Sequence, residues 1–145
     1  MTCQYKHAQD WTDAERCSVL SSFARHISQS RELGIPWAKF ADADKAMESI
    51  EEGRVESVIV DGYVLVYVYG CDWYCTENVL VEQMLIKLGK HGRFSSVLAC
   101  LDSLAVEHGC KSIVTGNGIN RPGLARLYQG AGYVRANEFY LKEVT

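Results

Sequence analysis

The sequence predicts an α/β chain of the α+β kind: a mixed, mostly antiparallel sheet with helices on both faces and a central parallel strand pair. Three observations carry this prediction. Apolar residues recur at helical spacing from Thr12 to Arg31 and again from Phe94 to Glu107. Between them the period shortens to that of strands, and three such runs follow one another across turn-forming residues. A further strand-like run comes directly after the second long helix, and a strand reached by a helical crossover lies parallel to the one before it.

Taken in order, Thr12-Asp13-Ala14-Glu15 fits a capping box. The helix it opens should run to about Arg31, with Ala14, Cys17, Leu20, Phe23 and Ala24 at helical spacing. Gly34-Ile35-Pro36 ends that region, and a second helix spans Asp42 to Glu51, closed by Gly53. Val55 to Val60 reads as a strand, and Asp61-Gly62 is a strong two-residue hairpin signal. The returning strand, Tyr63 to Tyr69, is rich in β-branched and aromatic residues. Its Tyr63, Tyr67 and Tyr69 share one sheet face, where they either line an acceptor pocket or pack beneath a helix. After a turn at Gly70 to Tyr74, Asn78 to Ile86 forms a third antiparallel strand.

The loop Gly89-Lys90-His91-Gly92-Arg93 leads into a helix from Phe94 to Glu107. Phe94, Val97, Leu98, Leu101, Leu104 and Ala105 form its apolar face, and Gly109 closes it. Cys110 to Thr115 is the parallel strand. A short helix carries Leu124 to Gln129 and is stopped by Gly130-Ala131-Gly132-Tyr133. Asn120 suits its N-cap and Pro122 its first turn. Gly132 to Arg135 and Phe139 to Lys142 are expected to be short strands.

A chain of 145 residues, 48% hydrophobic and 23% charged, suits one domain over residues 1–145. A net charge of −3 argues against a broad electrostatic grip on nucleic acid, although Lys87, Lys90, His91 and Arg93 make a local basic patch. No apolar run approaches the ~20 residues of a membrane span. Met1 to Asp10 is polar and lacks a signal-peptide core, so a cytoplasmic protein with reduced thiols is expected. Of the six cysteines, Cys71 and Cys75 form the nearest approach to a metal motif, a C-x3-C pair in need of two further ligands. The commoner reading of these cysteines is small apolar side chains, and no metal is expected.

The run Leu124-Ala125-Arg126-Leu127-Tyr128-Gln129-Gly130-Ala131-Gly132-Tyr133 resembles the A-x-x-L-Y-x-x-x-G-F/Y segment of the GNAT superfamily of CoA-dependent N-acetyltransferases. The loop and helix from Gly89 to Gly109 are similar to the part of that family that follows R/Q-x-x-G-x-G/A. Here Gly92 stands at the central glycine, Gly89 replaces Arg or Gln, and Phe94 replaces the small last residue. A register starting at Lys87 would place Gly92 at the small position and Lys90 at the central glycine. The resemblance covers Val55 to Lys142. A compact, solitary domain of this kind also suits a phage-encoded protein.

What the resemblance implies is a GNAT-like fold and acetyl transfer from acetyl-CoA to a primary amine, by direct attack in a ternary complex. The acceptor is a small molecule or a protein, and a homodimer is compatible with it. The alternative is a GNAT-fold binding protein without catalysis. Backbone N–H groups at Gly89, Lys90, His91, Gly92, Arg93 and Phe94 would receive the pyrophosphate, as helix N-termini can. The Lys90 and Arg93 side chains either pair with phosphates or are ordinary surface charge. Leu85 and Ile86 on the preceding strand would contact the thioester and pantetheine, and Asn120 either caps the last helix or touches the cofactor. Tyr128 is the candidate proton donor to the thiolate, since a phenol of reference pKa about 10 stays protonated at neutral pH. Its other reading is an aromatic packed beside Leu124 and Leu127. Glu82 is the candidate general base, with Glu77 and His91 as alternatives, and each has an ordinary solvated reading.

Overall fold

The computed structural model describes residues 3–116, 122–136 and 138–144. Its strands are β1 (Lys6–His7), β2 (Glu56–Val60), β3 (Tyr63–Gly70), β4 (Asn78–Lys87) and β5 (Cys110–Val114). Its helices are α1 (Asp13–Glu32), α2 (Ala43–Glu51), α3 (Phe94–Glu107) and α4 (Pro122–Gly130). The strands form one sheet in the order β1-β2-β3-β4-β5, antiparallel except for the β4–β5 pair. The expected mixed sheet is therefore present.

Both long helices start where local chemistry dictates. The Thr12 hydroxyl accepts from the Glu15 amide at 3.1 Å, and the Glu15 carboxylate accepts from the Thr12 amide at 2.8 Å, completing the capping box. The buried side of α1 is Val19, Phe23 and Ile27, with Ser22 and Ser30, rather than the smaller Ala14, Cys17 and Ala24. Larger apolar side chains remove more surface from water, so they set the helix's rotation. Helices α1 and α2 cover one face of the sheet through Phe23, Met47, Ile50, Val64, Val66 and Ile86. Helix α3 covers the other through Val97, Cys100, Leu101 and Leu104 against Val58, Val60, Leu65, Tyr67 and Leu80.

The Asp61-Gly62 turn has φ of 42° and 77°, the paired positive values of a hairpin turn whose twist matches its strands. Tyr67 is fully buried under α3, so for this residue helix packing is the outcome. Tyr69 is exposed and stacks on His108 with ring centroids 3.9 Å apart.

Three features were not read from the sequence. Lys6–His7 pairs with Ile59 and Val58 as a short edge strand. Two 3-10 turns, Ala8–Asp10 and Pro36–Phe40, flank α1. The β3–β4 ladder carries a bulge: Val66 pairs with Met84, but Tyr67 pairs with Glu82, which leaves Gln83 as the extra residue.

The expected strands at Gly132 to Arg135 and Phe139 to Lys142 are not formed among the described residues. A strand needs a partner for its backbone groups, and this segment pairs with none. Val134, Phe139 and Tyr140 are exposed, and Lys39 holds the tail by an ion pair to Glu143 at 3.0 Å. Strand β5 consequently ends the described sheet.

Candidate active site

The site is built where the β4–β5 ladder ends. Their pairing runs from Asn78↔Cys110 to Val81↔Val114 and stops there. From Glu82 onward the β5-side edge of β4 has no ladder partner among the described residues. Strand β5 ends at Val114, so the continuing edge of β4 keeps backbone groups that no described strand pairs, and it forms one wall of the candidate cleft.

The bulge decides which side chain enters the cleft. Residues paired across an antiparallel ladder share a face. Without the extra residue, Tyr67 would oppose Gln83, and Glu82 would point toward α1 and α2. With it, Glu82 opposes Tyr67 and stands on the α3 face. Bulges commonly re-aim a side chain next to an active site.

The Glu82 carboxylate accepts a hydrogen bond from the Gly116 amide through Oε2 at 2.9 Å. Burial holds this carboxyl above the usual carboxylate range, and the Gly116 N–H pulls partly the other way. Tyr128 is 6% exposed, and its hydroxyl is buried with no hydrogen-bond partner among the described residues. Burial raises its pKa, the Glu82 charge raises it further, and the nearby Thr115 side chain opposes both without completing a bond of good geometry. A second buried hydroxyl without a partner belongs to Tyr133, which is pushed up to about 12 by burial, Asp102 and Glu82.

These groups are held by aromatic packing. The Tyr128 ring lies 5.3 Å from Tyr133 and 5.5 Å from Phe94, and Phe94 lies 6.4 Å from Tyr63. The last turn of α4 is closed by the Tyr133 amide donating to the Tyr128 carbonyl at 3.0 Å. Sequence reasoning missed Tyr133 and Thr115 as members of the site. Tyr133 had a signal, a hydroxyl where the related segment accepts Phe as readily; Thr115 had none.

The other expected residues divide. Leu85 packs toward α3, whereas Ile86 is buried toward α1 and α2, so their side chains face opposite sides and only their backbone is common to the cleft wall. Gly89, Lys90, His91 and Arg93 are exposed in the loop before α3, with Gly92 and Phe94 half-buried. Phe94 is the first residue of α3, and neither its amide nor that of Ser95 has an acceptor among the described residues. Glu77 is exposed at the entry to β4. Asn120 lies outside the described residues.

The Cys71 thiol donates to the Cys75 carbonyl at 2.9 Å, and all six cysteines are free. Among the described residues no group of three or more His, Cys, Asp or Glu side chains could hold a metal ion. No helix among the described residues is long and apolar enough to cross a membrane. An open groove lined by Arg16, Leu20, Met47 and Glu51 lies between α1 and α2, apart from the cleft.

No family model and no curated protein matches the chain. Solved structures do match its fold over nearly its whole length. A GNAT family acetyltransferase from Staphylococcus aureus superposes with a TM-score of 0.60 at 13% identity, covering 99% of this chain and 100% of the other. A ribosomal-protein-alanine N-acetyltransferase from Brucella melitensis biovar Abortus gives 0.62 at 10% identity, covering 97% and 99%. A transcriptional regulator from Bacillus halodurans C-125 gives 0.69 at 14% identity, covering 97% and 100%. The chain has the GNAT fold.

Proposed function

We propose that this protein is an N-acetyltransferase that moves an acetyl group from acetyl-CoA to a primary amine by direct attack in a ternary complex. The observation that carries this reading is the convergence of Glu82 and Tyr128 at the end of the β4–β5 ladder. One group suits taking a proton and the other suits giving one.

The neutral amine attacks the thioester carbonyl carbon, a C–N bond forms and the C–S bond breaks. The amine proton passes to Glu82, whose raised pKa brings it closer to neutrality and makes it a better base than a solvated carboxylate. Its Oε2 is engaged by Gly116, so Oε1 is the oxygen available. The Tyr128 hydroxyl gives its proton to the departing thiolate and regains one from Glu82 or solvent. The buried, unpartnered state of that hydroxyl supports the assignment, because an orphaned donor is costly unless a ligand completes it. The products are an amide and the free CoA thiol. Alignment of the two reactants in the cleft supplies much of the acceleration, of the ~7–11 kcal/mol open to well-oriented reactions.

The CoA pyrophosphate would lie at the start of α3, on the Phe94 and Ser95 amides with Lys90 and Arg93 beside them. The cleft wall beyond Glu82, including the backbone of Leu85 and Ile86, would hold the pantetheine arm.

The test follows thiol release from acetyl-CoA with a panel of small primary amines and lysine-bearing peptides. Amine-dependent release, with the acetylated amine identified by mass spectrometry, is the expected result. Calorimetric CoA binding without release for any amine would favour a non-catalytic GNAT-fold binder. No binding of CoA would remove the transferase reading and leave the non-catalytic GNAT-fold binder.

A further inference from the structure

The loop before α3 is not free-standing; it is locked to the β2–β3 turn. The Asp61 carboxylate accepts from the Arg93 amide at 3.0 Å and from the Ser96 hydroxyl at 2.7 Å, both through Oδ2. The Leu88 amide donates to the Gly62 carbonyl at 2.7 Å. The two backbones interlock as well. A Cβ on Gly92 would lie 2.1 Å from the Asp61 carbonyl oxygen, and a Cβ on Gly62 would lie 2.2 Å from the His91 carbonyl oxygen.

These contacts form a helix cap supplied from another element. Arg93 occupies the N-cap of α3 and makes no side-chain cap of its own. In a capping box the third helical residue covers the N-cap amide. Here Asp61 covers it and also ties down Ser96, that third residue. Because the carboxylate takes the Arg93 amide, it leaves the next two amides, Phe94 and Ser95, uncovered. The turn by itself does not explain the choice: Gly would serve it equally but carries no side-chain acceptor.

We propose that Asp61 is a positioning residue for the cofactor loop: from the β2–β3 turn it caps α3 and holds Gly89 to Arg93 in the shape that presents the Phe94 and Ser95 amides to an anion. This inference rests on the acetyl-CoA reading above and extends it to a residue distant in sequence from the loop. A loop already held in its binding shape has less conformational entropy to lose when the ligand arrives.

The experiment compares wild type, Asp61→Ala and Asp61→Asn, each by melting curve, by amide hydrogen exchange without ligand, and by calorimetric titration with CoA. Asp61→Ala should speed exchange over residues 88–96 and weaken CoA about tenfold, the equivalent of one hydrogen bond to a charged group. Asp61→Asn keeps an acceptor for the Arg93 amide and should restore slow exchange and most of the affinity. A carboxylate that only stabilised the fold would lower the melting temperature of Asp61→Ala and leave the affinity of the folded protein unchanged, which overturns the proposal. Exchange at wild-type rates in Asp61→Ala also overturns it. If wild type binds no CoA, the acetyl-transfer reading fails; the exchange measurement then reports separately whether Asp61 orders the loop.

Discussion

The Glu82 carboxylate on β4 accepts the Gly116 amide beyond β5 at 2.9 Å, tying the two strands together at the place where their ladder ends. One side chain therefore links β4 to the end of β5 and is also the base that the proposed reaction would use. This double role gives Glu82 a pH signature of definite sign.

Activity should rise with pH through the raised pKa of Glu82, because only the carboxylate can take the amine proton. Glu82→Gln should remove that limb and most of the turnover. Stability should move the opposite way. The folded pKa lies above the unfolded value of about 4.3, so the contribution of Glu82 is complete below that pH and is lost as pH rises through the folded value. Glu82→Gln, which can still accept from Gly116, should melt higher than wild type at neutral pH and converge with it near pH ~4. Melting curves across pH decide this; a lower melting temperature at neutral pH would count against a carboxylate destabilised by desolvation.

Tyr128→Phe should separate chemistry from packing cleanly. The Tyr128 hydroxyl has no partner among the described residues, so removing it should leave the melting temperature equal or higher. Turnover should fall by about 10² or more if the hydroxyl protonates the thiolate, with kcat and kcat/KM falling together and CoA affinity little changed. A well-folded variant with wild-type turnover would take Tyr128 out of the mechanism.

Gly92→Ala should destabilise the fold by roughly 2–4 kcal/mol, since it adds a Cβ against the Asp61 carbonyl at a φ of 141°. Gly62→Ala meets the His91 carbonyl in the same way. The two backbones press on one another, so the double variant should cost less than the sum of the singles. Strict additivity in denaturant melts would show that the two contacts are independent.

Thr12→Ala should cost about 1 kcal/mol by breaking the box that caps α1, with no effect on CoA binding. A chemical denaturation curve measures the first, and a CoA titration of the same variant checks the second.

Local signals made much of this architecture legible. The capping box at Thr12, the Asp61-Gly62 turn, the limits of α3 and the parallel placement of β5 all follow from residues close together in the chain. The tyrosine of α4 was singled out through the family resemblance, and the loop before α3 through a glycine-containing run that opens a helix. Other features depended on residues brought together only by folding. The Lys6–His7 strand is too short to show a period and exists because β2 offers it an edge. The α1 face turned on which side chains the sheet could bury. The expected strands after Gly132 had the right composition but found no partner among the described residues.

Gly92 shows the limit most clearly. As sequence it reads as the central glycine of a pyrophosphate loop; in the fold, the nearest atom a Cβ there would meet is the Asp61 carbonyl oxygen. Glu82 likewise reads as one member of an alternating strand. Its entry into the cleft was decided by a single extra residue in β4, because one inserted residue reverses the face of every side chain beyond it.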